Sequence, residues 1–94
     1  MNSNTDKYEF FITNRQEGAK AVIYGDTKTV HINNNGETSL LNFSSIELKS
    51  NPSGLTIYFF DDKGKVIDIY AIDDVEHFDS LKVYAEKNGF TLSL

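Results

Sequence analysis

The sequence predicts a mainly β fold: an antiparallel barrel or sandwich of about seven short strands, finished by one C-terminal helix. Runs rich in β-branched and aromatic residues recur at spacings of roughly eight to twelve residues, with Gly, Asn and Pro between them. The pattern then changes once, to a helical period over residues 73–88.

Taken in order, residues 8–13 are dense in aromatic and β-branched side chains, and residues 14–18 form a polar loop before a second strand at 19–24. A third strand at 28–33 places Val30 and Ile32 on one face. Asn35-Gly36 is a strong two-residue hairpin signal, and a turn centred there pairs Val30 with Leu41 and His31 with Leu40. Strands at 38–43 and 46–49 follow, the latter with Ile46 and Leu48 pointing the same way. Asn51-Pro52-Ser53-Gly54 then imposes a turn.

Residues 54–71 read as a hairpin about Asp62-Lys63-Gly64. A three-residue loop joining Asp61 to Lys65 sets Phe59 opposite Ile67, Ile57 opposite Ile69 and Leu55 opposite Ala71, so that the aliphatics share a face. It requires Gly64 in a left-handed bulge. The helix at 73–88 begins with Asp73 and Glu76 in a capping-box arrangement and ends at Gly89, where a left-handed stop lets Phe90 fold back on Ala85 or Tyr84. Val75, Phe78, Leu81 and Ala85 fall on one helix face, expected to lie on the preceding sheet, and Val83 lies opposite.

The 94 residues divide into a flexible start, 1–7, and a single β-rich domain, 8–94. With no cysteine, disulfides, zinc-thiolate sites and thiol catalysis are excluded. The polar start and the lack of any apolar run near the roughly 20 residues of a membrane span lead to the expectation of a soluble, cytoplasmic protein without membrane insertion. A net charge of -5, with only nine scattered Lys and Arg, argues against nucleic-acid binding.

The strand order, the segment Leu41-Asn42-Phe43-Ser44-Ser45-Ile46 before a further short strand, the Asp62-Lys63-Gly64 hairpin and the terminal helix together resemble the bacterial pleckstrin-homology-like domains over residues 8–89. The resemblance implies an interaction module, some members acting at membranes and others binding proteins. Lipid-binding members of the wider group cluster basic residues around the loop between their first two strands. Here that loop holds Arg15 and Lys20 with Glu17 between them, and the helix lacks the tryptophan common in eukaryotic members, which disfavours phosphoinositide binding.

No constellation points to catalysis, a metal or another cofactor. His77 stands among Asp73, Asp74, Glu76 and Asp79, but the first acids serve the helix start and no second histidine lies at a turn's spacing. His31 points outward opposite Leu40, with Thr29, Asn33 and Asn42 as its neighbours. Ser44 and Ser45 lack a nucleophile-elbow setting, and the glycines each fit a turn or cap.

The feature least explained by folding is the second face of the hairpin, where the expected register places Tyr58, Phe60, Val66 and Tyr70. Either the helix, the N-terminal strand or the tail at 90–94 covers these side chains, or they form an exposed aromatic strip of the kind found at interfaces. The expectation is a noncatalytic protein-interaction module that binds a protein partner or itself through this strip or a sheet edge. The alternative is a small acidic inhibitor or immunity-type protein that blocks a basic toxin or enzyme site, using Asp73, Asp74, Glu76 and Asp79 as its acidic surface.

Overall fold

The computed structural model describes residues 7–13, 18–34, 36–52, 54–72 and 76–93. Among them are eight strands in two four-stranded sheets and one helix, a sandwich-like arrangement not closed into a barrel. The first sheet is an antiparallel meander of β1 (Lys7–Phe11), β2 (Lys20–Tyr24), β3 (Thr29–Asn34) and β4 (Glu37–Asn42). The β3–β4 pairing is the one Asn35-Gly36 dictates, with Val30 opposite Leu41 and His31 opposite Leu40, and Gly36 takes φ +85°.

The second sheet runs β7-β6-β5-β8, from β5 (Ser45–Asn51), β6 (Gly54–Phe60), β7 (Val66–Ile72) and β8 (Thr91–Ser93). The chain passes between the sheets at Phe43 and Ser44, whose N–H groups donate to Lys28 O and Phe60 O. At another point of approach, Thr13 N–H donates to Ala71 O at 2.8 Å. β8 is a strand beyond the expected seven. It pairs parallel with β5, which turns Leu92 toward the core beside Ile46.

The β6–β7 register corrects the expected one. The turn itself is as predicted, with Asp61 N–H donating to Lys65 O at 2.9 Å and Gly64 left-handed at φ +81°. Phe60 then pairs with Val66, but Phe59 pairs with Asp68, so one extra residue is accommodated at Ile67. Beyond this bulge Tyr58 faces Ile69, Ile57 faces Tyr70 and Leu55 faces Ile72. The expected alignment would bury Ile69 and Ala71 over Ile57 and Leu55. The bulged one buries Tyr70 and Ile72 there instead, withdrawing more apolar area from water. Tyr70 is 1% exposed while Ile69 is 39% exposed.

α1 (His77–Asn88) buries Leu81, Tyr84 and Ala85, with Phe78 partly buried, and leaves Val83 outside. Asp73, Asp74 and Val75, and with them the expected capping box, lie outside the described residues; Glu76 has helical angles and makes no side-chain cap. Gly89 ends the helix at φ +75°, its N–H on Ala85 O at 2.8 Å, and Phe90 turns back edge-on to Tyr84. Beyond the expected docking on the preceding sheet, Tyr84 fastens α1 to the first sheet as well. Its hydroxyl donates to Ile23 O at 3.0 Å and accepts from Gly25 N–H at 2.9 Å. The helix therefore closes the end of the sandwich at the β2–β3 turn. From there, rings in edge-on or tilted contact run through the core, Tyr8 to Tyr84, Phe90, Phe43, Phe59 and Tyr70.

Candidate binding surfaces: an acidic cleft and an outer apolar strip

Strand alternation fixes the outer face of β6: Thr56, Tyr58 and Phe60 point away from buried Leu55, Ile57 and Phe59. Across the β6–β7 ladder lie Ala71, Ile69 and Val66. Three of the four predicted strip residues, Tyr58, Phe60 and Val66, are thus brought together. Tyr70 is not among them, because the bulge turns its ring inward against Phe59 at 5.5 Å. Ile69 takes its place opposite Tyr58. Val66 is 42% exposed and Tyr58 and Phe60 are half-buried, with Lys49 Nζ 6.0 Å from the Tyr58 ring centroid. The apolar side chains of the helix and tail, Leu81, Ala85, Phe90 and Leu92, join the core cluster between the sheets.

The bulge also builds a cleft on the inner face. Asn34 and Ile32 share the face of β3 that carries buried Val30, and Glu37, Ser39 and Leu41 are their partners on β4. Opposite them, β7 presents Asp68 and Tyr70. These seven residues line a cleft of about 230 Å³. Its apolar floor is Ile32, Leu41 and the Tyr70 ring, and its polar groups are Asn34, Glu37, Ser39, Asp68 and the Tyr70 hydroxyl. That hydroxyl donates to Asp68 Oδ2 at 2.5 Å, and Asp68 Oδ1 accepts from Ile69 N–H at 2.8 Å. Asn34 Oδ1 is buried and has no hydrogen-bond donor. Among the described residues, two carboxylates and no Lys or Arg line this concavity, a setting for a ligand that donates hydrogen bonds and carries positive charge.

The remaining candidates do not converge. Glu76 and Asp79 of the expected acidic surface are exposed, while Asp73 and Asp74 lie outside the described residues, as does the side chain of His77. His31 is half-buried, edge-on to Tyr24 at 4.9 Å. Among the described residues no group of three or more His, Cys, Asp or Glu could hold a metal ion, and no helix is long and apolar enough to cross a membrane. A further concavity beside Asn42, Ser44, Asp61 and Asp62 borders the β6–β7 turn. There the Asp61 carboxylate already accepts from Lys65 and Lys63 N–H, both at 2.9 Å, and these bonds hold it below the usual carboxylate range. Glu9 is lowered likewise by Lys20 and then Lys7, an exposed ion-pair group on the outer face of the first sheet.

Part of the cleft is readable from sequence, since Glu37 and Ser39 alternate with Thr38 and Leu40 on the face of Leu41. Asp68 is not readable without the bulge, because plain alternation turns it outward. Comparison with family models, with curated proteins and with solved structures finds no match for this chain.

Proposed function

We propose that the protein is a noncatalytic protein-interaction module on a pleckstrin-homology-like fold, working in the cytoplasm. The observation that carries this reading is the outer strip of Tyr58, Phe60, Val66 and Ile69, contiguous apolar side chains across two paired strands that the core does not absorb. A four-stranded meander, a second sheet stacked on it and a C-terminal helix closing one end support the fold assignment. The lack of cysteine suits a reducing compartment.

The test is Tyr58→Ser combined with Ile69→Ser, a cross-strand pair on the outer face. The variant is expected to keep a cooperative unfolding transition while losing at least about tenfold in affinity for itself, by sedimentation, or for a partner captured from host lysate. A folded variant that associates as the wild type does would contradict the reading, and a variant that unfolds would show that the strip is covered core. A second reading, an acidic inhibitor of a basic protein, is favoured by the inward-facing carboxylates Glu37 and Asp68 together with the net charge of -5. The two part on salt: association through the strip is salt-tolerant, whereas an inhibitor acting through its acids loses affinity steeply as ionic strength rises.

A further inference from the structure

We infer that the cleft between the β3–β4 hairpin and β7 is a binding site for a single cationic group, a guanidinium or ammonium on a short apolar stem. The inference is independent of the outer strip, which lies on the opposite face of β7.

The sequence invests unusually in this cleft. The buried interior positions of the sandwich are apolar, and no buried polar or charged residue occurs among the described residues. At this end the inner faces gather four polar side chains, Asn34, Glu37, Ser39 and Asp68. Asp68 reaches the inner face through the bulge, at the expense of leaving Ile69 39% exposed. Bulges that re-aim a side chain in this way concentrate beside functional sites, and a local conflict between hydrophobic pattern and register is expected where function outweighs folding.

The chemistry of the lining selects the ligand. Asn34 Oδ1, buried without a donor, asks for an N–H. Asp68, held in place by the Tyr70 hydroxyl at 2.5 Å, and Glu37 supply negative charge. Ile32, Leu41 and the Tyr70 ring offer apolar walls to a methylene stem. An anion would meet two carboxylates and no cation among the described lining residues, and a purely apolar ligand would leave the Asn34 oxygen unpaired. The group can come from an Arg or Lys side chain of a partner protein or from a free small molecule.

The experiment titrates the isotope-labelled protein with n-butylguanidine and with its neutral isostere n-butylurea, following amide resonances by NMR. The expected result is a saturable shift of Asn34, Ser39, Leu41 and Ile69 with butylguanidine, at least about tenfold weaker with butylurea. Glu37→Gln, an exposed change, is expected to weaken butylguanidine roughly threefold to tenfold, and Asp68→Asn, which keeps an acceptor for Tyr70, by about tenfold. Should Asp68→Asn fail to fold, Glu37→Gln and the neutral probe still decide. A blocked arginine tripeptide giving the same shifts identifies a partner's side chain as the source, whereas response to the free compound alone identifies a small molecule. Non-saturating shifts, equal shifts with butylurea, or binding unaltered by Glu37→Gln would overturn the inference.

Discussion

Removing one hydroxyl from Tyr84 tests how the helix is held to the sandwich. That hydroxyl bridges Ile23 O at 3.0 Å and Gly25 N–H at 2.9 Å, and both bonds are buried. Tyr84→Phe keeps the ring against Phe90 and Tyr8 but leaves a backbone donor and a backbone acceptor without this partner, a loss of about 1–3 kcal/mol. The opposite side of the same contact is Gly25. A Cβ there would lie 2.6 Å from Asn88 Cβ and 2.7 Å from its Cγ, so α1 must shift, and Gly25→Ala is expected to cost about 1–3 kcal/mol by overpacking. Because displacing the helix end already breaks the Tyr84 bonds, the double variant is expected to cost less than the sum of the two changes. Urea unfolding of the wild type, both single variants and the double variant measures the cycle, and amide exchange at Gly25 should accelerate in Tyr84→Phe. A Tyr84→Phe variant within about 0.5 kcal/mol of wild type, or strict additivity, would refute the clamp.

Two further outcomes follow from the hairpin. Tyr70→Ala is expected to cost about 3–5 kcal/mol, since a fully buried ring in contact with Phe59 is lost, whereas Ile69→Ser should cost less than about 1 kcal/mol; chemical denaturation that ranks them in the reverse order would contradict the bulge. Asp61, whose carboxyl is lowered by the Lys65 and Lys63 N–H groups, stabilises the turn while ionised. Its contribution is therefore complete above the ordinary aspartate range and disappears as pH falls through the lowered folded value. Asp61→Ala should melt below wild type at neutral pH, with the gap closing on acidification to about pH 2, and a gap that stays constant or widens would contradict this origin.

The parts of the fold set by short-range chemistry were legible in the chain. Asn35-Gly36 admits a turn whose geometry determines the β3–β4 register residue by residue, and Gly64 and Gly89 stand where positive φ is needed. The helix's inner face, Leu81 and Ala85 in and Val83 out, follows from its period alone. What was not legible depended on contacts distant in sequence. Both registers of β6–β7 satisfy the turn, and the choice between them rests on where Tyr70 finds Phe59 and Ile72 finds the core. β8 is only three residues long and exists because β5 has an open edge beside it, which no local signal announces. The candidate site inherits the same division. Tyr58, Phe60 and Val66 could be assigned to one face from alternation, while Ile69, and with it the acidic cleft behind, required the bulge.

Both proposed surfaces stand or fall with the register of β7, and cross-strand nuclear Overhauser contacts between β6 and β7 measure it directly. The bulged register predicts contacts of Tyr58 with Ile69, Ile57 with Tyr70 and Leu55 with Ile72, placing Ile69 outside and Asp68 in the cleft. Contacts of Ile57 with Ile69 and Phe59 with Ile67 would instead mean an unbulged ladder, returning Tyr70 to the outer strip and removing Asp68 from the cleft.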